Sequence, residues 1–227
     1  MTRLLVVAIL LLLAGCAPVQ RTTVTVFAAA SLTSSFEEIA EAFEAENPDV
    51  EIVFNFGGSS SLATQIVEGA PADVFAAASP ATMEASGATD AHDFATNVLE
   101  IAVADGADID GLDDFADPDK LIALCAVEVP CGAAAQKLFD EKGITPSVDT
   151  YEQDVKAVLT KVELGEVDAG LVYGTDVLDA GVEGIPVDSA PVSYPIAALT
   201  EKGKAFVAFV LSDRGQQILK KAGFGAP

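Results

Sequence analysis

The sequence predicts an α/β protein of two lobes joined by two extended crossover segments, and three observations carry that prediction. Strand-like and helix-like segments alternate along the chain, as in parallel sheets covered by helices. One architecture, a strand running through small and hydroxyl residues into a helix start, occurs twice early, over residues 24–35 and 50–61. An acidic stretch containing Gly and Pro (105–119) and a later extended segment (192–199) mark a crossing and a return. Residues 24–100 with 195–227 are expected to form one lobe, and residues 101–194 the other.

Val24, Val26 and Phe27 read as a buried strand. Three alanines follow, and then Leu32, Phe36, Ile39 and Phe43 recur at helical spacing. Ser34 with Glu37 three residues on has the capping-box pattern. Such a turn offers an anion free backbone N–H groups and the positive end of a helix dipole. It is also the ordinary opening of any α/β domain. Its repetition is therefore informative: residues 50–56 alternate as a strand and run through Gly57-Gly58-Ser59-Ser60-Ser61 into the helical spacing of Leu62, Ile66 and Val67. On neighbouring parallel strands the two turns face the same sheet edge.

Residues 73–78 read as a third strand, 80–85 as a short helix and 97–104 as an apolar strand. In the second lobe, 121–126 is a strand, 127–132 a loop holding Val129-Pro130-Cys131-Gly132, and 133–142 a helix with Gly143 as its cap. Val155, Val158, Leu159 and Val162 are spaced as a helix, 167–173 is a strand, and helices over 202–211 and 214–222 close the chain.

Residues 1–15, with Arg3 ahead of the apolar run 4–13, have signal-peptide shape, so the chain is expected to be exported. The ending Leu13-Ala14-Gly15-Cys16 resembles the lipobox of bacterial lipoproteins, which makes Cys16 a lipidation site and residues 16–23 a tether. A plain signal peptide followed by a coincidental cysteine is the competing reading. Cys125 and Cys131, an even pair in an oxidising compartment, read as a disulfide closing a small loop. The alternative, a two-ligand metal site, lacks a nearby histidine, since the one His in the chain is His92.

The formal net charge is −23, and from Cys16 onward 11 basic residues face 35 acidic ones. Such a surface repels nucleic acid and anionic lipid heads. No Gly-x-Ser-x-Gly elbow, Gly-x-x-x-x-Gly-Lys loop or His-Glu-x-x-His motif occurs, which disfavours catalysis. His92 reads as a solvated loop residue. Beyond Arg3 the arginines are Arg21 and Arg214, so no arginine clamp can be built at these turns. Any anion there must be held by neutral donors.

The sequence resembles the substrate-binding components of bacterial molybdate ABC transporters. The likeness rests on Phe27-Ala-Ala-Ala-Ser-Leu-Thr33, Phe56-Gly-Gly-Ser-Ser-Ser-Leu62, Gly69-Ala-Pro-Ala-Asp-Val-Phe75, Val129-Pro-Cys-Gly132, Glu152-Gln-Asp-Val155, Gly170-Leu-Val-Tyr-Gly-Thr-Asp176, Tyr194-Pro195 and Gly223-Phe224. It implies a type II periplasmic binding protein fold with the ligand in the cleft between lobes, and a binding protein rather than an enzyme. It further implies molybdate or tungstate as ligand, no cofactor, no direct protein–metal ligand, and a monomer, outside the cytoplasm (periplasmic or on the cell-wall side), that delivers to a membrane permease with its ATPase. Carried over by motif, Ser31 and Ser59 donate hydroxyl and amide, Tyr173 its phenol, and Cys131 and Val155 backbone N–H. Two departures stand out. Cys131 occupies a place where the family commonly has alanine, and Gly57-Gly58 replaces small polar residues, which leaves the register among Ser59, Ser60 and Ser61 open.

The residues agree with this resemblance. A fully ionised oxyanion asks only for donors, whereas hydrogen phosphate presents an O–H that a donor-only site leaves unpaired, at about 1–3 kcal/mol. Sulfate, also fully ionised, is the alternative ligand. The rival classes are a hydrolase using Cys131 with His92, which needs a free thiol, and a structural lipoprotein without a small ligand.

Overall fold

The computed structural model describes residues 21–227. The signal peptide (1–15), the lipidation site Cys16 and most of the tether lie outside the described residues. In chain order the first lobe runs β1 (Thr22–Ala29), α1 (Thr33–Glu46), β2 (Val50–Gly57), α2 (Ser59–Val67), β3 (Val74–Ala76), α3 (Pro80–Ala85) and β4 (His92–Asn97). The chain then builds β5 (Leu99–Val103), β6 (Ile122–Cys125), α4 (Pro130–Lys142), β7 (Thr150–Glu152), α5 (Val155–Glu163), β8 (Ala169–Tyr173), α6 (Gly174–Ala180) and β9 (Glu183–Pro186). It returns as β10 (Val192–Ala198), α7 (Lys204–Leu211) and α8 (Asp213–Lys221).

Two five-stranded sheets result, β2-β1-β3-β10-β4 and β7-β6-β8-β5-β9. Two α/β lobes joined by two crossovers are therefore what the chain folds into. β1 pairs in parallel with β2, from Thr22 opposite Val50 to Ala29 opposite Gly57. β6 likewise runs parallel to β7 and β8. Parallel pairing sends each of these strands toward one sheet edge, so the turns that follow them gather there. The core behind the first sheet is aromatic: Phe36, Phe94 and Phe206 are fully buried, with Phe36 to Phe94 centroids 5.7 Å apart.

Several boundaries differ from the sequence reading. The expected strand over 97–104 is two strands that meet at Val98, because Asn97 pairs with Val192 in the first sheet while Leu99 pairs with Tyr173 in the second. Residues 99–100 thus belong to the second sheet and 192–194 to the first, and Thr22 and Thr23 of the expected tether already pair in β1. An apolar run gives no sign of such a change of partner. The capping box does not form. A 3-10 turn over Ala30–Leu32 starts the helix early, so Ser34 falls inside it and donates instead to Asp179 Oδ2 (2.8 Å). α4 begins at Pro130, three residues before the expected start, because proline suits the first helical position. His92 is exposed, as expected, but opens β4 rather than lying in a loop. Among the described residues, no helix is long and apolar enough to cross a membrane.

Candidate functional site

The turns that follow β1, β2, β6, β7 and β8 enclose a small cavity between the lobes. Ser31 and Ser59 line it from the first lobe, and Cys131, Val155 and Tyr173 from the second. All five residues singled out in the sequence thus meet at one place. Of the serine triplet only Ser59 lines the cavity; Ser60 donates to Glu128 O across the cleft (2.6 Å) and Ser61 faces Gln65. The cavity volume is about 20 Å³. That lies below the roughly 300–1,000 Å³ of clefts for drug-sized molecules and suits an ion.

Its walls are rich in hydrogen-bond donors. Ser59 opens α2, Cys131 sits in the first turn of α4 and Val155 opens α5, so their amides have no acceptor within their own helices. Three helix N-termini and the turn at Ser31 therefore direct N–H groups and partial positive charge at one point. Asp154 is the one charged residue in the lining, and its carboxylate accepts from Ala157 N (2.9 Å) as the cap of α5. Ser59 Oγ accepts from Ala78 N (3.0 Å), which leaves the Ser59 proton free to donate inward. The Tyr173 hydroxyl is buried beside the Tyr194 ring and has no well-formed hydrogen-bond partner among the described residues. Burial, and after it the charge of Asp176, pushes the Tyr173 phenol well above its usual range, so it remains a donor.

Cys125 and Cys131 form the expected disulfide, with Cα atoms 5.7 Å apart. It ties the end of β6 to the first turn of α4, directs the Cys131 amide, and contributes roughly 2–3 kcal/mol by loop closure. With that sulfur oxidised, Cys131 is no thiol nucleophile. No cluster of metal-ligating side chains occurs among the described residues.

The cleft is closed. Ser34 to Asp179 and Ser60 to Glu128 bridge the lobes, and Asn97 Nδ2 donates to Thr175 Oγ1 (2.8 Å) beside the crossover. Asp179 also pairs with Lys156 (3.0 Å), whose Nζ lies 3.2 Å from Oδ1 of the buried Asp176. Burial pushes the Asp176 carboxyl up to about 6, against the opposing pull of Lys156 and of the Tyr173 amide, which donates to Oδ2 (3.2 Å). A carboxyl raised on folding contributes stability that is complete below its unfolded value of 3.8 and is lost as pH rises through about 6. In Asp176→Asn that titration is gone. Thermal unfolding from pH 4 to pH 8 should show wild type losing stability relative to the variant as pH rises; parallel curves would contradict the assignment.

Sequence reasoning missed several parts of this site. Ala78 acts through its amide alone, and no residue type signals that. Asp154 could have been recognised as the N-cap of the Val155 helix by its position. Gly58 lies against the second lobe: a Cβ there would overlap the carbonyl oxygen of Gln153.

Residues 24–225 match the family model for bacterial extracellular solute-binding proteins. The molybdate-binding protein ModA of Mycobacterium tuberculosis is 39% identical over 222 residues, covering 90% of this chain and 85% of the relative. Among solved structures, the periplasmic molybdate-binding protein of Azotobacter vinelandii superposes with a TM-score of 0.78 at 20% identity, covering 90% of this chain and 99% of that one. The sulfate-binding protein SubI of Mycobacterium tuberculosis superposes with a TM-score of 0.75 at 17% identity, covering 90% and 86%. At such identities the two structures establish the fold and leave the anion open. The family model, spanning nearly all the described chain, and the 39% relative decide membership: the chain belongs to the bacterial extracellular solute-binding proteins and is a binding protein, not an enzyme.

Proposed function

We propose that this protein captures molybdate, and tungstate with it, outside the cytoplasm and delivers it to an ABC permease with its ATPase. Ser31, Ser59 and Tyr173 contribute hydroxyl donors, and Ser31, Ser59, Cys131 and Val155 contribute backbone N–H. The lipid on Cys16 holds the monomer at the membrane. One observation carries the reading: a small closed cavity surrounded by helix N-termini and inward hydroxyls, with no cation in its lining and one buried phenol lacking a well-formed partner. Similarity to a molybdate-binding relative at 39% identity supports the choice of anion. Sulfate needs the same donors and is an outcome of the test.

Thermal unfolding of residues 21–227 with molybdate, tungstate, sulfate and phosphate at equal concentration provides that test. A ligand present at 100 times its dissociation constant adds about 2.7 kcal/mol of stability. Stabilisation by molybdate and tungstate alone is expected. Stabilisation by sulfate instead would keep the site and overturn the substrate. Tyr173→Phe should bind molybdate about 10- to 150-fold more weakly, as one bond to a charged group contributes about 1.5–3 kcal/mol. Its ligand-free stability should hold or rise, because the orphan hydroxyl is gone. Unchanged affinity would remove Tyr173 from the site.

A further inference from the structure

We propose that Tyr194 is a positioning residue that fixes the proton of Ser31 toward the cavity, making this side of the site a donor only. The inference rests on the oxyanion reading above and extends it to a residue outside the cavity lining. Tyr194 is fully buried in β10, where the register with β4 shifts between Tyr194 and Pro195. Its ring packs against Phe224 (centroids 5.6 Å), Tyr173 (5.9 Å) and Phe94 (6.3 Å), so its hydroxyl has little freedom. That hydroxyl lies 3.0 Å from Ser31 Oγ.

Geometry alone permits either oxygen to donate. A phenol is a stronger acid than an aliphatic alcohol, which assigns donation to Tyr194 and acceptance to Ser31. With its ring held by these aromatic neighbours, Tyr194 gives its proton to Ser31. The Ser31 hydroxyl, having accepted, has the cavity as the place for its own proton.

Ser59 shows the same polarity with a different partner behind it, since its Oγ accepts from Ala78 N. Both hydroxyls therefore point protons forward. An anion without protons meets donors at both, while an anion carrying an O–H finds no acceptor there. Without the Tyr194 hydroxyl, Ser31 can turn and accept.

Calorimetric titration with molybdate and with phosphate at pH 6.5, on wild type, Tyr194→Phe, Ser31→Ala and the double variant, tests this. Tyr194→Phe keeps the ring, so ligand-free unfolding should stay within a few degrees of wild type. Its molybdate affinity should fall about tenfold while phosphate gains relative to molybdate, and the double variant should bind no more than twofold weaker than Ser31→Ala. Losses that multiply in the double variant, or equal losses for both anions, would make Tyr194 a structural ring and overturn the proposal. Failure of wild type to bind molybdate or tungstate would instead remove the proposed function, which separates the two failures.

Discussion

Gly58→Ala should lower molybdate affinity at least a hundredfold while leaving the ligand-free lobes folded. The backbone at Gly58 is extended (φ −61°, ψ 128°), a conformation that alanine adopts without strain. In the closed cleft, however, the added methyl would overlap the backbone carbonyl oxygen of Gln153 in the opposite lobe, next to the Asp154 cap of α5. Neither neighbour is the end of a flexible side chain, so the lobes must stay apart. The donors of Cys131, Val155 and Tyr173 are then held away from an anion seated on Ser31 and Ser59. Bonds to a charged group contribute about 1.5–3 kcal/mol each, so losing two already exceeds a hundredfold. Calorimetric titration, with small-angle scattering to follow the loss of compaction on ligand, reads the effect. Near-wild-type affinity would show that this closed arrangement is not the binding form.

Gly132→Ala should be the most destabilising single methyl addition near the site. Gly132 lies in the first turn of α4, packed on the chain that leaves β6, and its Cβ would overlap the carbonyl oxygen of Ala126 and crowd that of Cys125. The disulfide between Cys125 and Cys131 holds the same two segments together, so the helix cannot slide away to make room. Overpacking of a tight interior typically costs about 1–3 kcal/mol, and an overlap with two consecutive backbone carbonyls belongs at or above the top of that range. A fall of several degrees in the unfolding temperature is expected, with weakened anion binding because the Cys131 amide moves. Ser212, whose hydroxyl caps α8 and donates to Phe209 O (2.6 Å) and which does not line the cavity, is a useful control: Ser212→Ala should cost about 1 kcal/mol and leave binding unchanged. A Gly132→Ala protein as stable as wild type would mean that the α4 turn is less constrained than described.

These two glycines also show how far the sequence could be read. The alternation of strands and helices, the hydroxyl-rich turns after β1 and β2 and the cysteine pair are local features, and local patterns were enough to predict the lobes; the five residues that meet at the cavity came from the family resemblance, motif by motif. What stayed hidden depends on contacts distant along the chain. Nothing near Gly58 announces Gln153, and nothing near Ser59 announces that the amide of Ala78 would turn its hydroxyl. Ser34 has the spacing of a cap, yet the turn at residues 30–32 lets it bond Asp179 instead. The change of sheet at Val98 is silent because both strands are apolar and only their partners differ. Pro130 lies within the expected loop 127–132, although proline is equally suited to open a helix.

Molybdate seated in the cavity between the lobes, held by neutral donors from both, would be visible in crystals of residues 21–227 grown with molybdate, by an anomalous-difference map collected at the molybdenum absorption edge. The expected result is one strong peak within the ring formed by Ser31, Ser59, Cys131, Val155 and Tyr173, with the Tyr173 hydroxyl at hydrogen-bond distance from an oxygen of the ion. A peak elsewhere, or a closed cleft that holds no molybdenum at saturating molybdate, would contradict that placement.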